Sequence, residues 1–211
     1  MTDNFAKLVS ALKACPIVPV LTIDNAQSAA PLAKALSAAG LTTAEITLRT
    51  PAALGAIRAM KDAAPDLFIG AGTILSRKDL GAALEAGSDF IVTPAVSTKL
   101  LAAIKACAKP VFPGAATPSE ALELYEQGFE YVKFFPAESN GGIPALKSMA
   151  GPLPQITFMP TGGINGQSAP NYLALPNVIA IGGSWMVDKI ALAAGDFKKI
   201  EESARQAVND L

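Results

Sequence analysis

The chain of 211 residues contains no histidine. That excludes the imidazole general base, any catalytic triad built on one, and the commonest ligand of zinc, copper and iron. Cysteine is nearly absent too. Cys15 and Cys107 fall in unrelated segments and read as reduced thiols of a cytoplasmic protein, with a disulfide between them left open. No cluster of Asp and Glu marks a magnesium site, so neither metal nor cofactor is expected. Charge of one sign is lacking: 17 Lys and Arg against 18 Asp and Glu give a net charge of −1, no footprint for nucleic acid or an anionic membrane. No run of eighteen apolar residues occurs, so no membrane span is expected. The start, Met1-Thr2-Asp3-Asn4-Phe5, has no basic segment followed by an apolar one, so no signal peptide is expected either. Any catalysis must run on Lys, Glu, Arg, hydroxyls and backbone amides.

What is present is a repeated rhythm. β-rich runs recur at 16–22, 43–48, 67–71, 89–93, 110–113, 130–135, 155–160 and 178–182, separated by Ala- and Leu-rich segments at helical spacing. An amphipathic segment at 3–14 leads, and 185–210 closes the chain. Alternation of this kind predicts parallel strands with helical crossovers. No linker or shift in composition divides the chain, so residues 1–211 read as a single domain. Eight strand–helix units in this length fit an α/β fold of the (β/α)8 TIM-barrel type with an extra N-terminal helix. A doubly wound open sheet is the alternative, because periodicity does not prove closure. Helix starts are marked at Thr50-Pro51, at Thr117-Pro118-Ser119-Glu120 with its capping-box carboxylate, and at Ser76 and Ser97. Prolines 94, 113, 136 and 160 stand where strands should end.

Lys133 is the most informative single residue. It lies in Tyr131-Val132-Lys133-Phe134-Phe135-Pro136, an apolar strand-like run. A charged ammonium is rarely placed among aromatic rings, because burial favours the neutral amine. A neutral amine is a nucleophile that forms Schiff bases with ketones and aldehydes. The competing reading is a lysine that snorkels to solvent or pairs with Glu130 or Glu138. Alternation sorts the faces: Ala44, Ile46 and Leu48 should pack on helices, with Glu45, Thr47 and Arg49 facing inward. Lys133 shares the inward face of its own strand with Tyr131 and Phe135, so Glu45 and Lys133 are expected to meet. A structural ion pair is the alternative role for Glu45 and Arg49.

Two strand exits are rich in glycine, Thr161-Gly162-Gly163-Ile164 and Gly182-Gly183-Ser184-Trp185. In parallel barrels the loops after the seventh and eighth strands bind phosphate on backbone amides beside a short helix, which Ser184 is placed to cap. A third exit, Gly70-Ala71-Gly72-Thr73, would let a ligand approach the backbone, with the Thr73 hydroxyl as donor.

Taken in order with Glu45-Ile46-Thr47-Leu48-Arg49-Thr50 and Lys133-Phe134-Phe135-Pro136-Ala137-Glu138, these motifs resemble the 2-keto-3-deoxy-6-phosphogluconate aldolases, which also act on 4-hydroxy-2-oxoglutarate. The resemblance runs over essentially the whole chain. It implies a class I aldolase of the Entner–Doudoroff pathway that works without cofactor or metal. It also implies a homotrimer whose partners are a phosphorylated 2-keto acid and pyruvate, with no nucleic acid or membrane. By resemblance Lys133 is the Schiff-base lysine and Glu45 the proton-transfer residue. Arg49 and Thr73 are similar to the residues that hold the substrate carboxylate. Thr161, Pro94 and Phe135 resemble those that orient the substrate, and Gly162, Gly163 and Ser184 those that bind phosphate. Met159 stands where a cysteine is common in the family. A phosphosugar isomerase or epimerase using Glu45 as a base, and a non-catalytic binding barrel, are the readings from other classes.

Overall fold

A computed structural model describes residues 3–211; Met1 and Thr2, part of the stretch read for a signal peptide, lie outside the described residues. The chain runs α1 (Asp3–Ala14), β1 (Ile17–Leu21), α2 (Ala29–Ala38), β2 (Thr43–Thr47), α3 (Ala53–Ala63), β3 (Phe68–Gly72), α4 (Arg77–Glu85), β4 (Phe90–Val92) and α5 (Thr98–Lys105). It continues with β5 (Val111–Phe112), β6 (Gly114–Ala115), α6 (Pro118–Glu126), β7 (Tyr131–Phe134), α7 (Gly142–Ala150), β8 (Thr157–Pro160), α8 (Ala169–Leu173), β9 (Ile181–Gly183), α9 (Lys189–Ala194) and α10 (Phe197–Asn209). This is an α/β fold in which every paired strand is parallel to its neighbour.

The strands form a six-stranded sheet, β5-β4-β3-β2-β1-β9, and a three-stranded sheet, β6-β7-β8. Each run read as a strand overlaps one, with β3 and β9 ending one residue beyond the runs at 67–71 and 178–182. The fifth run, 110–113, continues past Pro113 as β6, which has changed partner from β4 to β7. Pro113 has no N–H to give to a ladder, yet its carbonyl still accepts from the Lys133 amide at 2.9 Å. At the other junction, parallel bridges pair Phe158 with Val178 and Thr161 with Gly182. No helix of the described residues is long and apolar enough to cross a membrane.

Side-chain alternation places the two faces of the sheets in different surroundings. Ala44, Ile46, Val132, Phe134 and Phe158 belong to the large cluster that packs on the helices. The opposite, inner face carries Val18, Phe90, Val92, Phe112, Met159 and Ala180. Leu8, Val9 and Leu12 of α1 complete that inner cluster, at the spacing of one helical stripe. Phe5 extends the stripe and meets Tyr131 edge-on, with ring centroids 5.0 Å apart. Each fully buried side chain of this size contributes about 1.5–3 kcal/mol. The apolar plug therefore fills one end of the inner face, and the buried polar residues Glu45, Thr47, Thr93, Lys133 and Thr161 occupy the rest.

Three of the expected helix starts form as read. The Thr117 hydroxyl accepts from the Glu120 amide at 3.3 Å while Glu120 accepts from the Thr117 amide at 2.9 Å, completing the capping box of α6. Ser76 and Ser97 cap α4 and α5. Thr50 does not cap: α3 starts later, after Ala52, and the Thr50 hydroxyl donates instead to the Ile23 carbonyl across the connection that follows β1.

Candidate active site

Two charged side chains meet on the inner face. Lys133 projects from β7 and Glu45 from β2, and they are only 4% and 1% exposed. Lys133 Nζ donates to Glu45 Oε1 at 3.3 Å, so its partner is neither Glu130 nor Glu138. Glu45 Oε2 is buried and has no hydrogen-bond partner. One acceptor of a desolvated carboxylate is therefore uncommitted, a costly arrangement in a purely structural ion pair. The ring of Phe135 lies 5.2 Å from the Lys133 nitrogen, joining the pair to the rim above it.

The glycines of Gly70-Ala71-Gly72 serve this pair in a way the sequence did not announce. A Cβ on Gly72 would overlap the Glu45 carboxylate, and one on Gly70 would overlap the Phe90 ring. They make room for protein side chains, where a close ligand approach had been expected. The next residue, Thr73, has φ 61°, the left-handed region that non-glycine residues seldom enter. Its hydroxyl accepts from Arg49 Nε at 3.2 Å. That bond orients the guanidinium and leaves its terminal N–H groups free to meet a carboxylate through two parallel bonds.

A cavity of about 280 Å³ is lined among others by Arg49, Phe135, Thr161, Gly162, Gly163, Ser184 and Lys189; neither Lys133 nor Glu45 forms part of its wall, and Phe135 connects it to the pair. Thr161 is buried, and its hydroxyl oxygen has no partner. A Cβ on Gly182 would collide with it. Gly162 and Gly163 have φ 106° and 84°, open to glycine and strained for other residues. The amides of Gly163, Ile164 and Ser184 donate to no protein acceptor among the described residues. Successive free amides in such turns form an anion-binding concavity. A larger groove, about 370 Å³, lies beside Phe5, Cys107 and Tyr131 and holds none of these polar groups.

Ser184 stands at the cavity but not as a helix cap. Asp188 caps α9, accepting from the Ala191 amide at 2.8 Å. Ser184 contributes only its carbonyl to a turn with Val187, so its exposed hydroxyl remains available. Pro94 is half-buried at the end of β4, where its carbonyl packs so tightly on Gly114 that a side chain there would collide. It is absent from the cavity wall, and Thr73 reaches the cavity only through Arg49.

Two residues escaped the sequence reading. Lys189 opens α9, lines the cavity and forms no ion pair among the described residues. It belongs to no periodic pattern, so nothing in the sequence marked it. Tyr172 of α8 is fully buried, and its hydroxyl donates to Glu138 Oε1 at 2.6 Å. Burial, and then the carboxylate beside it, push its phenol well above the ordinary tyrosine range.

Comparison with known proteins bears on the arrangement. Residues 8–203 match an aldolase family described as KDPG and KHG aldolase. The KHG/KDPG aldolase of Escherichia coli strain K12 is 44% identical over 94% of this chain and 93% of its own length. The 2-dehydro-3-deoxy-phosphogluconate aldolase of Pseudomonas aeruginosa is 42% identical over 99% and 94%. The structure of KDPG aldolase from Legionella pneumophila, with pyruvate captured as a covalent carbinolamine, superposes with a TM-score of 0.92 at 38% identity, covering 98% of both chains. That of the Zymomonas mobilis enzyme with 3-phosphoglycerate gives 0.89 at 42% identity, covering 98% of this chain and 95% of that one.

Proposed function

The chain belongs to the KDPG and KHG aldolase family, and from that premise we propose how its site performs a class I aldol cleavage. The reaction is the cleavage of 2-keto-3-deoxy-6-phosphogluconate to pyruvate and D-glyceraldehyde 3-phosphate, with 4-hydroxy-2-oxoglutarate cleaved to pyruvate and glyoxylate. The observation that carries the reading is the buried contact between Lys133 and Glu45, with Glu45 Oε2 uncommitted. An isomerase or epimerase needs the carboxylate but has no use for the amine.

Lys133 gives a proton to Glu45, attacks the C2 carbonyl carbon as its neutral amine and forms a carbinolamine, whose hydroxyl takes that proton from Glu45 and leaves as water. This loss of water gives an iminium, which draws electrons from the neighbouring C3–C4 bond. Glu45 takes the proton from the C4 hydroxyl as that bond breaks, and the electron pair passes into an enamine. The aldehyde leaves. Protonation of the enamine at C3 and hydrolysis of the iminium release pyruvate and return Lys133. Arg49, fixed by Thr73, holds the carboxylate of the keto acid, and the Thr161 hydroxyl orients the reacting end. Phe135 supplies an apolar wall over the amine, and Pro94 supports it from β4 through the neighbouring strand. The phosphate sits on the amides around Gly162, Gly163 and Ser184, with the Ser184 hydroxyl as a further donor and Lys189 as the nearby cation.

The finer reading of the fold is a closed (β/α)8 barrel formed by the whole chain as one domain. The change of partner at Pro113 and the bridges between β8 and the approach to β9 support it, as does the apolar plug from α1. The protein acts in the cytoplasm as a homotrimer, in the Entner–Doudoroff pathway. Purified protein should release pyruvate and glyceraldehyde 3-phosphate in equal amounts from 2-keto-3-deoxy-6-phosphogluconate, undiminished by chelators. Cleavage that requires an added divalent metal would reject the mechanism.

A further inference from the structure

Glu138 ends the Lys133-to-Glu138 motif, yet no step of the reaction uses it. Its surroundings assign it a task. The Ala137 amide donates to the Thr161 carbonyl at 2.8 Å, and the Glu138 amide to the Gly162 carbonyl at 3.0 Å. The segment after β7 is thus laid along the outside of the turn that carries the phosphate-binding amides. The Glu138 stem lies directly against Gly163, where an added Cβ would come within 2.6 Å of Glu138 Cγ. Glu138 is absent from the cavity wall, and its stem lies on the side of the turn to which a Gly163 side chain would point. There the buried Tyr172 hydroxyl holds the carboxylate at 2.6 Å. Gly142 leaves the space: a Cβ on it would lie 2.7 Å from the Tyr172 oxygen.

Resting on the phosphate-site reading above, we propose that Tyr172 and Glu138 are positioning residues for the phosphate end of the substrate. Tyr172 fixes the Glu138 carboxylate behind the Gly162–Gly163 turn. The fixed stem then holds the Gly163 and Ile164 amides toward the cavity. Fixing the carboxylate has a second consequence. Glu138 is an exposed anion only one turn away from free amide donors, and a carboxylate released there would compete with phosphate for them. The hydroxyl of a tyrosine that stays protonated is suited to the task, because it donates over the whole working pH range.

The test is steady-state kinetics of Tyr172→Phe on two substrates. The buried ring is kept, and only the hydroxyl is lost. For 2-keto-3-deoxy-6-phosphogluconate, KM should rise about threefold to tenfold, the scale of one hydrogen bond, with kcat within about twofold of the parent. For 4-hydroxy-2-oxoglutarate, which has no phosphate, both constants should stay within about twofold. Glu138→Gln keeps an acceptor for the tyrosine and should behave nearly as the parent. Glu138→Ala should reproduce the loss, and combining it with Tyr172→Phe should add little, because both remove one link. Equal losses on the two substrates, or an unchanged KM for the phosphorylated one, would overturn the proposal. A failure of the wider reading looks different, since the parent protein would then show no preference for the phosphorylated substrate. Thermal melting shows whether Tyr172→Phe has merely unfolded. If it has, Glu138→Ala on the surface carries the same test.

Discussion

The two halves of the site are built from opposite materials. The Lys133–Glu45 pair is made of side chains, almost wholly buried, and comes from the middle of two strands. The cradle around Gly162, Gly163 and Ser184 is made of backbone amides and one exposed hydroxyl, and comes from loops. Chemistry needs the first arrangement, because a nucleophilic amine and a mobile proton require a dry and rigid setting. Recognition of a hydrated dianion suits the second, since amides bind anions without carrying a charge that would trap the product. One half should therefore control kcat for every substrate, and the other KM for phosphorylated substrates alone.

The sharpest way to break this comparison is at Lys133. Lys133→Ala should abolish cleavage of both substrates, because Lys133 is the one buried lysine among the described residues. Glu45 is then left buried without its partner, at a cost of about 3–5 kcal/mol, so circular dichroism should accompany the assay. Retained cleavage in a folded Lys133→Ala protein would remove the amine from the mechanism. Next comes Glu45→Gln, which keeps the shape of the pair and loses the base. Its kcat should fall about a hundredfold or more on both substrates, with a smaller effect on KM. If only KM moved, Glu45 would be a binding residue and the division of labour would fail.

At the rim, Ser184→Ala removes one hydroxyl donor to a charged group, worth about 1.5–3 kcal/mol. That corresponds to roughly a tenfold to hundredfold loss of kcat/KM for the phosphorylated substrate. Cleavage of 4-hydroxy-2-oxoglutarate should barely change, and equal losses on the two substrates would send the phosphate elsewhere. Lys189→Ala should have a smaller effect of about twofold to fivefold, since Lys189 is exposed and its pull is screened. The effect should shrink as salt is raised, and a loss insensitive to salt would mean that Lys189 acts by contact and not by charge.

Much of this contrast is legible in the sequence. The inward set of Glu45, Thr47 and Arg49 followed from alternation along β2, and Lys133 stood out because an amine in an aromatic run has few reasons to be there. The cap residues Ser76, Ser97 and Thr117 were legible because capping is a local interaction of three or four residues. Thr50 misled for the same reason: its pattern was local, but a carbonyl distant in sequence, that of Ile23, claimed the hydroxyl. Ser184 likewise lost its capping role to Asp188. Lys189 and the Tyr172–Glu138 bond were not legible, because they depend on where loops from different crossovers come together. Gly72 was legible as a close approach, but the identity of what approaches, the Glu45 carboxylate, is a tertiary fact.

The smallest effect is expected at the start of α6, which forms no part of the cavity wall. The capping box of α6 holds the Glu120 carboxyl below the usual carboxylate range, chiefly through the Ala116 amide. A lowered value means that this contribution to stability is complete at neutral pH and is lost as pH falls through the carboxylate range on the acid side. Thr117→Ala should cost about 1 kcal/mol, a few degrees in Tm, with both kcat values unchanged. A kinetic change here would show that α6 is coupled to the site.

The most direct measurement of the central claim is borohydride reduction of the protein in the presence of pyruvate, followed by peptide mapping. Reduction should leave one 1-carboxyethyl group, the reduced pyruvate imine, irreversibly on the protein and abolish activity, with the label on the peptide that contains Lys133. Tyr172→Phe and Ser184→Ala should label as readily as the parent, because pyruvate carries no phosphate. Label on another lysine, or no label in an active protein, would contradict the assignment of Lys133 as the residue that forms the Schiff base.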